Sequence, residues 1–206
     1  MVLVVISILA SLAYIAATEW CAALGIVVLK TLPVALLAVY ALRKRRVDLG
    51  VSLKLSAAGD ALLGLGKTWF LAGLIAFLAS HLVYTFTFVR RWRKPRFGAP
   101  AVAVILYSAT LGIWLIPATG KLAVPVGCYL VAISAMVVSA LAARFPTCWV
   151  AVGAVLFLLS DSILAIHKFR MPVPYASFLI WTTYYAGQLA ITLGAAGGAR
   201  GSRRRT

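Results

Sequence analysis

Long apolar stretches separated by short polar breaks are the dominant pattern along this chain. Eight such stretches occur, and each is close to the roughly 17–25 residues that a helix needs to cross a bilayer. They lie at about 2–18, 21–42, 51–66, 68–89, 99–117, 121–143, 148–167 and 175–194. Neither long alternation nor barrel spacing is present, so helices are the only plausible way to satisfy the backbone in lipid. The pattern predicts an all-α integral membrane protein with eight transmembrane helices over residues 1–196.

The composition supports a membrane protein. Hydrophobic residues make up 64% of the 206 residues and charged residues 12%, and the mean hydropathy is +1.03. A soluble domain is about 45–50% apolar and about 25% charged. The cysteines Cys21, Cys128 and Cys148 are scattered, without the spacing of a metal site or a disulfide framework.

Positive charge is concentrated on one side of the predicted membrane. The net charge is +16, and most of it lies in the loops after the second, fourth and sixth stretches and in the tail at 197–206. The opposite loops hold only Lys67, Lys121, Lys168 and Arg170. The positive-inside rule therefore predicts that both termini are cytoplasmic, in the plasma membrane if the protein is bacterial. We expect the basic tail to contact the lipid bilayer rather than nucleic acid.

Two of the four acidic residues lie deep inside apolar stretches. They are Asp60, in SLKLSAAGDALLGLG, and Asp161, in VGAVLFLLSDSILAI. An ionisable side chain inside a bilayer is costly and usually marks a functional site. Each lies about 9 Å from the predicted non-cytoplasmic end of its helix, at 1.5 Å per residue. We hypothesise that the two carboxyl groups meet and form an acid/base pair.

An internal repeat supports this hypothesis. At an offset of 101 residues, GDALLGLGK at 59–67 aligns with SDSILAIHK at 160–168, so that Asp60 falls on Asp161. The offset equals four predicted helices, and both halves, about 1–98 and 99–196, would therefore have the same topology. The sequence predicts two parallel four-helix repeats, with the two aspartates at one depth.

Further polar side chains near this depth are candidates for binding substrate or supporting the aspartates. They are Lys30, His81, Tyr84, Tyr184, Tyr185 and Gln188. Lys30 is too deep to reach water easily, and it is either a buried counter-ion or a ligand for a phosphate head group. His81 is either a hydrogen-bonded interior histidine or a proton relay. Interhelical hydrogen bonding also explains the three residues of the last helix without chemistry.

These residues resemble a known family, the YhhN family, which includes the lysoplasmalogenases. The resemblance covers nearly the whole chain. Its motifs are Lys30-x-x-Pro33, Gly59-Asp60 with two leucines after it, Phe70-x-x-Gly73-x-x-x-Phe77-x-x-x-His81-x-x-Tyr84, Gly153-x-x-x-Phe157-x-x-Ser160-Asp161, and Thr183-Tyr184-Tyr185 leading to Gln188.

The resemblance implies an integral-membrane ether hydrolase. Such an enzyme cleaves the vinyl ether of a lysoplasmalogen, a lysophospholipid, to a fatty aldehyde and glycerophospho-ethanolamine or -choline. Two aspartates are the proposed catalytic pair of that family, and they map to Asp60 and Asp161. A vinyl ether hydrolyses by protonation of its β-carbon followed by capture of the oxocarbenium ion by water, which suits one carboxylic acid and one carboxylate. This chemistry requires no metal and no cofactor, and the assignment of acid and base stays open.

Two other classes of protein also carry aspartates in membrane helices. An intramembrane aspartyl protease typically has Tyr-Asp, Gly-x-Gly-Asp and Pro-Ala-Leu, whereas here Ser160 precedes Asp161, Ala57 replaces the first glycine, and Pro-Ala-Leu does not occur. A proton-coupled transporter or lipid carrier is the main alternative, because parallel repeats with intramembrane charges fit that class. The hydrolase predicts a cavity closed toward the cytoplasm, with its polar mouth near Lys67, Lys168 and Arg170.

Overall fold

The computed structural model of the chain describes residues 1–17, 23–92 and 98–197. In these residues the chain forms eight α-helices and no strand. The helices are α1 (Val2–Ala17), α2 (Ala23–Arg43), α3 (Val47–Gly64), α4 (Phe70–Val89), α5 (Ala99–Leu115), α6 (Ala123–Ala142), α7 (Trp149–Phe169) and α8 (Ala176–Gly197). Each one coincides with a predicted stretch. Cys21, the basic positions at 93–96 and most of the predicted tail at 197–206 lie outside the described residues.

Helix α3 differs most from its predicted bounds, because it begins at Val47 rather than near residue 51. Its first turn holds Asp48, and a negative charge near a helix N-terminus is favourable. The Asp48 carboxylate also lies 3.7 Å from the Arg90 guanidinium at the end of α4. A prediction that uses apolar residues alone places the start of the helix after such a charged first turn.

Five helical segments are long and apolar enough to cross a membrane. They are Gly25–Arg43, Lys67–Val89, Ala99–Ala118, Gly120–Ala142 and Trp149–Phe169. Helix α1 is a shorter apolar helix. Helices α3 and α8 contain polar side chains such as Ser56, Asp60 and Gln188, which lower the mean hydropathy of these two helices. The three side chains are buried against neighbouring helices. The protein is a multi-pass membrane protein, and the crossing of the bilayer by α1, α3 and α8 stays a prediction.

The helices pack mainly on their neighbours in sequence. Helix α1 packs on α2, α2 on α3, α3 on α4, and α7 on α8. The contact of α4 with α6 joins the first four helices to the last four. Within this bundle, Tyr84, Phe88, Met136 and Phe157 are fully buried in one hydrophobic core. The two-repeat architecture stays a prediction.

Helices α7 and α8 approach each other so closely that their backbones touch. A Cβ atom added to Gly153 would lie 2.6 Å from the Gly187 carbonyl oxygen, and one added to Gly187 would lie 2.7 Å from the Gly153 carbonyl oxygen. Small residues permit this approach between membrane helices. Near the same interface, the Ser160 hydroxyl donates a 2.8 Å hydrogen bond to the Ile180 carbonyl. These contacts fix the position of α7, and with it Asp161, relative to α8.

The turn between α3 and α4 depends on Gly66. Its φ of 107° lies in the left-handed region, where a side chain would be strained. The chain then forms a short 3₁₀ turn at Lys67–Trp69 before α4 begins. This turn places the Lys67 side chain at the same end of the bundle as Lys168, the penultimate residue of α7.

Candidate active site

A cavity of about 580 Å³ lies between the helices at the end that carries the α3–α4 and α7–α8 turns. Its walls are apolar and include Leu63, Leu74, Phe77, Leu111, Val126, Ile133 and Leu158. Its rim is formed by exposed residues that include Gly66, Lys67, His167, Lys168 and Ser177. An apolar pocket with a few convergent polar groups is the usual form of a small-molecule site. The cavity suits an amphiphile that has an apolar chain and an anionic head.

Both Asp60 and Asp161 lie in the wall of this cavity. Asp60 is 2% exposed, and the side chain of Asp161 is 14% exposed. The two carboxyl groups are close enough to interact electrostatically. The hypothesis that they face one cavity therefore matches their observed placement, while their catalytic role stays a prediction.

Each aspartate accepts a hydrogen bond from a tyrosine on a neighbouring helix. The Tyr184 hydroxyl on α8 donates to Asp60 Oδ2 at 2.6 Å. The Tyr129 hydroxyl on α6 donates to Asp161 Oδ2 at 2.5 Å. A phenol that donates to a carboxyl group stabilises its ionised form. Each carboxyl group thus has a hydrogen-bond donor from a neighbouring helix before substrate binds.

Lys30 also lines the cavity, and its side chain is half-buried. Its ammonium group is near enough to Asp60 for their charges to attract. The structure shows no direct ion pair between Lys30 and either aspartate. Lys30 therefore lines the same cavity as Asp60 and is close enough for its positive charge to act on that carboxyl group.

His81 lies behind the cavity wall and is completely buried. Its Nδ1 atom forms a hydrogen bond with the Phe77 carbonyl one turn earlier in α4. Its Nε2 atom lies 3.8 Å from Asp161 Oδ2 and has no hydrogen-bond partner among the described residues. His81 therefore directs one polar atom at an aspartate without touching the cavity.

A chain of hydrogen bonds supports Asp60 from the interior. The Tyr84 hydroxyl donates to Gln188 Oε1 at 2.7 Å. The Gln188 amide in turn donates to the Tyr184 hydroxyl at 3.4 Å. Neither Tyr84 nor Gln188 lines the cavity, so the structure places them where they support Tyr184, and not in contact with a substrate.

Tyr185 does not lie with the aspartates. It faces α1, where its hydroxyl is 2.7 Å from Ser7 Oγ. Because the Ser7 hydroxyl donates its one proton to the Pro33 carbonyl, Tyr185 is the donor to Ser7. Successive helical residues point about 100° apart at 3.6 residues per turn, so the two adjacent tyrosines point in different directions, and of the two only Tyr184 lines the cavity. Tyr185, a candidate for binding substrate or supporting the aspartates, does not line the cavity, and its observed contact holds α8 against α1.

Arg170 is likewise away from the predicted polar mouth. Its guanidinium group stacks on the ring of Trp114, 5.0 Å from the centroid, and it does not line the cavity. Lys67 and Lys168 do line the rim, as the sequence predicts. Lys168 also lies over the Phe70 ring, with its ammonium 3.9 Å from the centroid.

Three aromatic residues of the site are not identified by the sequence pattern, namely Tyr14, Tyr129 and Trp181. Tyr14 packs on Trp181 with a centroid separation of 4.4 Å, and Trp181 donates to Ser11 Oγ at 2.9 Å. Tyr129 lies alone in the apolar run GCYLVAISAM. The available signal was that a buried phenol needs a hydrogen-bond partner. Its partner is on another helix, which a linear sequence does not identify.

Among the described residues, no group of three or more His, Cys, Asp or Glu side chains is arranged to hold a metal ion. The expectation that the site uses no metal and no cofactor stays a prediction.

Fold and site together define a multi-pass helical membrane protein with two carboxyl groups, one buried and one largely buried, on one cavity. Residues 25–195 match the model of the YhhN family. The chain therefore belongs to the YhhN family, and the resemblance seen in its motifs is confirmed.

Several curated proteins are similar to this chain. A protein of Mycobacterium tuberculosis named lysoplasmalogenase is 44% identical over 151 residues, which cover 69% of this chain and 58% of that protein. Human lysoplasmalogenase TMEM86B is 36% identical over 140 residues, which cover 68% of this chain and 59% of the human protein. The pig TMEM86B is 36% identical over 172 residues, with 80% and 72% coverage. The chain thus matches little more than half the length of the mycobacterial and human relatives. No solved structure is detectably similar to it.

Proposed function

We propose that this protein is a lysoplasmalogenase-like hydrolase, which cleaves the vinyl ether bond of a lysoplasmalogen by acid/base catalysis with Asp60 and Asp161. The observation that carries the proposal is the placement of two carboxyl groups, one buried and one largely buried, in the wall of one apolar cavity. The relatives named lysoplasmalogenase support the same reaction. The products would be a fatty aldehyde and glycerophospho-ethanolamine or -choline.

The cavity supports a lysophospholipid as substrate. The hydrocarbon chain would lie against the leucines and Val126 of the wall, where burial of apolar surface is worth about 25 cal/mol per Å². The phosphate would lie at the rim, near the ammonium groups of Lys67 and Lys168. This orientation would place the bond between chain and head group at the depth of the aspartates.

The chemistry needs two carboxyl groups in opposite protonation states. One donates a proton to the β-carbon of the vinyl ether, and the other stabilises the oxocarbenium ion and accepts a proton from the attacking water. Inverting glycosidases divide the work between two carboxyl groups in a similar manner, with one acid and one base that activates water. A low-dielectric wall favours the neutral form of a carboxyl group, and a nearby cation favours the ionised form.

A cavity lined from one end of the bundle favours a hydrolase over the alternative of a proton-coupled transporter or lipid carrier. The lining residues of each helix lie in the half nearest the α3–α4 and α7–α8 turns or within one residue of the helix midpoint. Alternating access would need a path to the opposite end. We further propose that both termini are cytoplasmic, in the plasma membrane if the protein is bacterial, with the cavity opening on the other side.

The proposal is tested by incubating the purified full chain, in detergent or nanodiscs, with a lysoplasmalogen and with the matched lysophospholipid that carries a saturated ether. We expect fatty aldehyde from the vinyl ether alone, because a saturated ether gives no stabilised cation on protonation. Aldehyde is measured with a coupled dehydrogenase or by mass spectrometry. Absence of aldehyde from the vinyl ether would refute the proposal, and movement of lipid between vesicles would then favour a carrier.

The two rim lysines are expected to bind the phosphate. Lys67→Gln and Lys168→Gln should each raise KM by about twofold to fivefold with little change in kcat, because a solvent-exposed ion pair contributes about 0.2–1 kcal/mol. Initial rates against lysoplasmalogen concentration give both constants. Lys121→Gln is the matched control, since Lys121 is an exposed lysine in another turn and does not line the cavity. An equal change of KM in all three variants would show a general charge effect instead of a phosphate site.

A further inference from the structure

The structure points to a division of labour between the two aspartates, an inference that rests on the proposed hydrolysis. We propose that Asp161 is the proton donor, that His81 is the positioning residue which holds the proton of Asp161, and that Asp60 is the carboxylate which takes a proton from water. Three observations carry this assignment: the tautomer of His81, the confinement of its ring, and the unequal surroundings of the two carboxyl groups.

The hydrogen bond at Nδ1 determines the tautomer of His81. The Phe77 carbonyl can only accept, so Nδ1 must carry a proton. In a neutral imidazole the other nitrogen is then an acceptor. Nε2 is buried and without a hydrogen-bond partner among the described residues, and it faces Asp161 Oδ2 at 3.8 Å. A buried acceptor such as Nε2 needs a hydrogen-bond donor opposite it. A protonated Asp161 carboxyl group is a donor, whereas an Asp161 carboxylate can only accept.

The ring of His81 cannot turn away from Asp161. It is packed edge-on against Tyr129, with centroids 5.1 Å apart, and against Phe157, with centroids 4.8 Å apart. The separation of 3.8 Å exceeds a hydrogen bond, so the carboxyl group must move by about 1 Å to close it. Hydrogen bonds of an active site are often long until substrate binds. Asp161 is the more exposed aspartate and lines the cavity, so it is the partner that can move.

The two carboxyl groups have different neighbours. Asp60 has a cation nearby, because the Lys30 ammonium is close enough for its charge to act on this carboxyl group. Asp161 faces the neutral His81 and the Tyr129 hydroxyl. The titratable groups that surround the pair come from five helices and are Tyr14, Lys30, His81, Tyr129 and Tyr184. Because a nearby positive charge favours an ionised carboxyl group, Asp60 is the better carboxylate and Asp161 the better acid.

This assignment gives a balanced reaction. The O–H bond of Asp161 breaks as the π electrons of the vinyl ether form a C–H bond at the β-carbon, which leaves an oxocarbenium ion and an Asp161 carboxylate held by Tyr129. Water attacks the cation, and one of its protons goes to Asp60, which gives a hemiacetal. The hemiacetal then loses its hydroxyl proton to Asp161 as the bond to the glycerol oxygen breaks, and that oxygen takes the proton of Asp60. Aldehyde and alcohol leave, and both aspartates regain their starting states.

Infrared spectroscopy tests the protonation states without turnover. In D₂O near neutral pH, the wild-type protein should show the carbonyl stretch of a protonated carboxyl group. We expect Asp161→Asn to remove this band and Asp60→Asn to retain it. A band that is absent from the wild type, or that disappears in Asp60→Asn and persists in Asp161→Asn, would overturn the assignment. Failure of the proposed hydrolysis is distinguished from this result, because it would appear as absence of aldehyde with the wild-type protein.

The role of His81 is tested with two amide variants. In His81→Asn, the amide can replace Nδ1 as donor to Phe77 but offers nothing to Asp161. In His81→Gln, the longer side chain brings an amide oxygen to the position of Nε2. We expect His81→Asn to lower kcat about tenfold to a hundredfold at unchanged KM, and to shift the Asp161 carbonyl band, because it removes one hydrogen bond to the acid. His81→Gln should restore most of the rate and the band position.

Equal behaviour of the two variants would contradict a positioning role for His81. If both retain the wild-type rate and band, the histidine only fills space, and if both lose rate with an unmoved band, its loss acts through the fold. Should His81→Asn fail to give folded protein, the wild-type and Asp161→Asn spectra still decide which aspartate holds the proton.

Discussion

Asp60→Asn and Asp161→Asn should each lower the rate of vinyl ether cleavage by about 10²–10⁴-fold, the usual cost of removing a general acid or base. Asparagine keeps the size of the side chain and can still accept the hydrogen bond from Tyr184 or Tyr129. It cannot exchange a proton, so chemistry is lost while the fold is kept. The rate of aldehyde release under substrate saturation measures the effect, and the melting temperature in detergent checks the fold.

The double variant and a matched control complete this test. Groups that act as a unit are strongly non-additive, so the double variant should be little slower than the slower single variant. Asp48→Asn is the control, because Asp48 lies on the same helix as Asp60 but pairs with Arg90 at the surface. It should retain the wild-type rate. Losses that multiply in the double variant would show two independent functions instead of one pair.

Gly153→Ala should lower the free energy of unfolding by about 1–3 kcal/mol, the range found when an extra methyl group is forced into a packed core. The new Cβ would lie 2.6 Å from a backbone oxygen and 2.8 Å from the Ile191 backbone nitrogen, and neither atom can rotate away. Helix α7 would be pushed off α8, and Asp161 would move with it. Thermal unfolding in detergent gives the loss of stability, and aldehyde release should fall with it.

Gly127→Ala is the matched control for this substitution. Gly127 also lies within a helix, yet a Cβ there would meet only the Ile116 Cδ1 atom, at an ordinary 3.7 Å. Because alanine is favoured over glycine in a helix by roughly 0.5–1 kcal/mol, the control should be neutral or slightly more stable. If Gly153→Ala were as stable as Gly127→Ala, the α7–α8 interface would be looser than the backbone contacts indicate.

The positions of the helices could be predicted because lipid leaves the backbone few alternatives. An apolar stretch of sufficient length must form its own hydrogen bonds, so each predicted stretch became a helix. The ends of helices that carry charged residues were harder to predict. Helix α3 begins at Val47 and includes Asp48, and a charged residue is not recognised by an apolar pattern. Asp60 and Asp161 could be recognised as candidates from the sequence, because a carboxyl group in an apolar stretch is rare enough to identify on its own.

The partners of the aspartates could not be predicted, because they depend on how each helix is rotated. Tyr184 and Tyr185 are adjacent in sequence, and only the packing of α8 against α1 decides that Tyr184 faces Asp60. Tyr129 was missed because nothing local distinguishes a tyrosine that fills space from one that donates to a carboxyl group 32 residues away. Lys30 and His81 could be recognised as unusual from the sequence. Only the tertiary structure shows that Lys30 is near Asp60 and that His81 is near Asp161.

The unequal neighbours of the two aspartates bear on how such a site could have evolved. At the offset of 101 residues that relates Asp60 to Asp161, the contacting residues and their counterparts are Lys30 and Val131, His81 and Thr182, Tyr129 and Val28, and Tyr184 and Val83. If the halves descend from a duplicated four-helix ancestor, a symmetric dimer of that ancestor held two equivalent carboxyl groups and had no built-in donor or acceptor. The aspartates themselves have stayed the same, so divergence of the residues around them would be what broke the symmetry and gave each carboxyl group its own role.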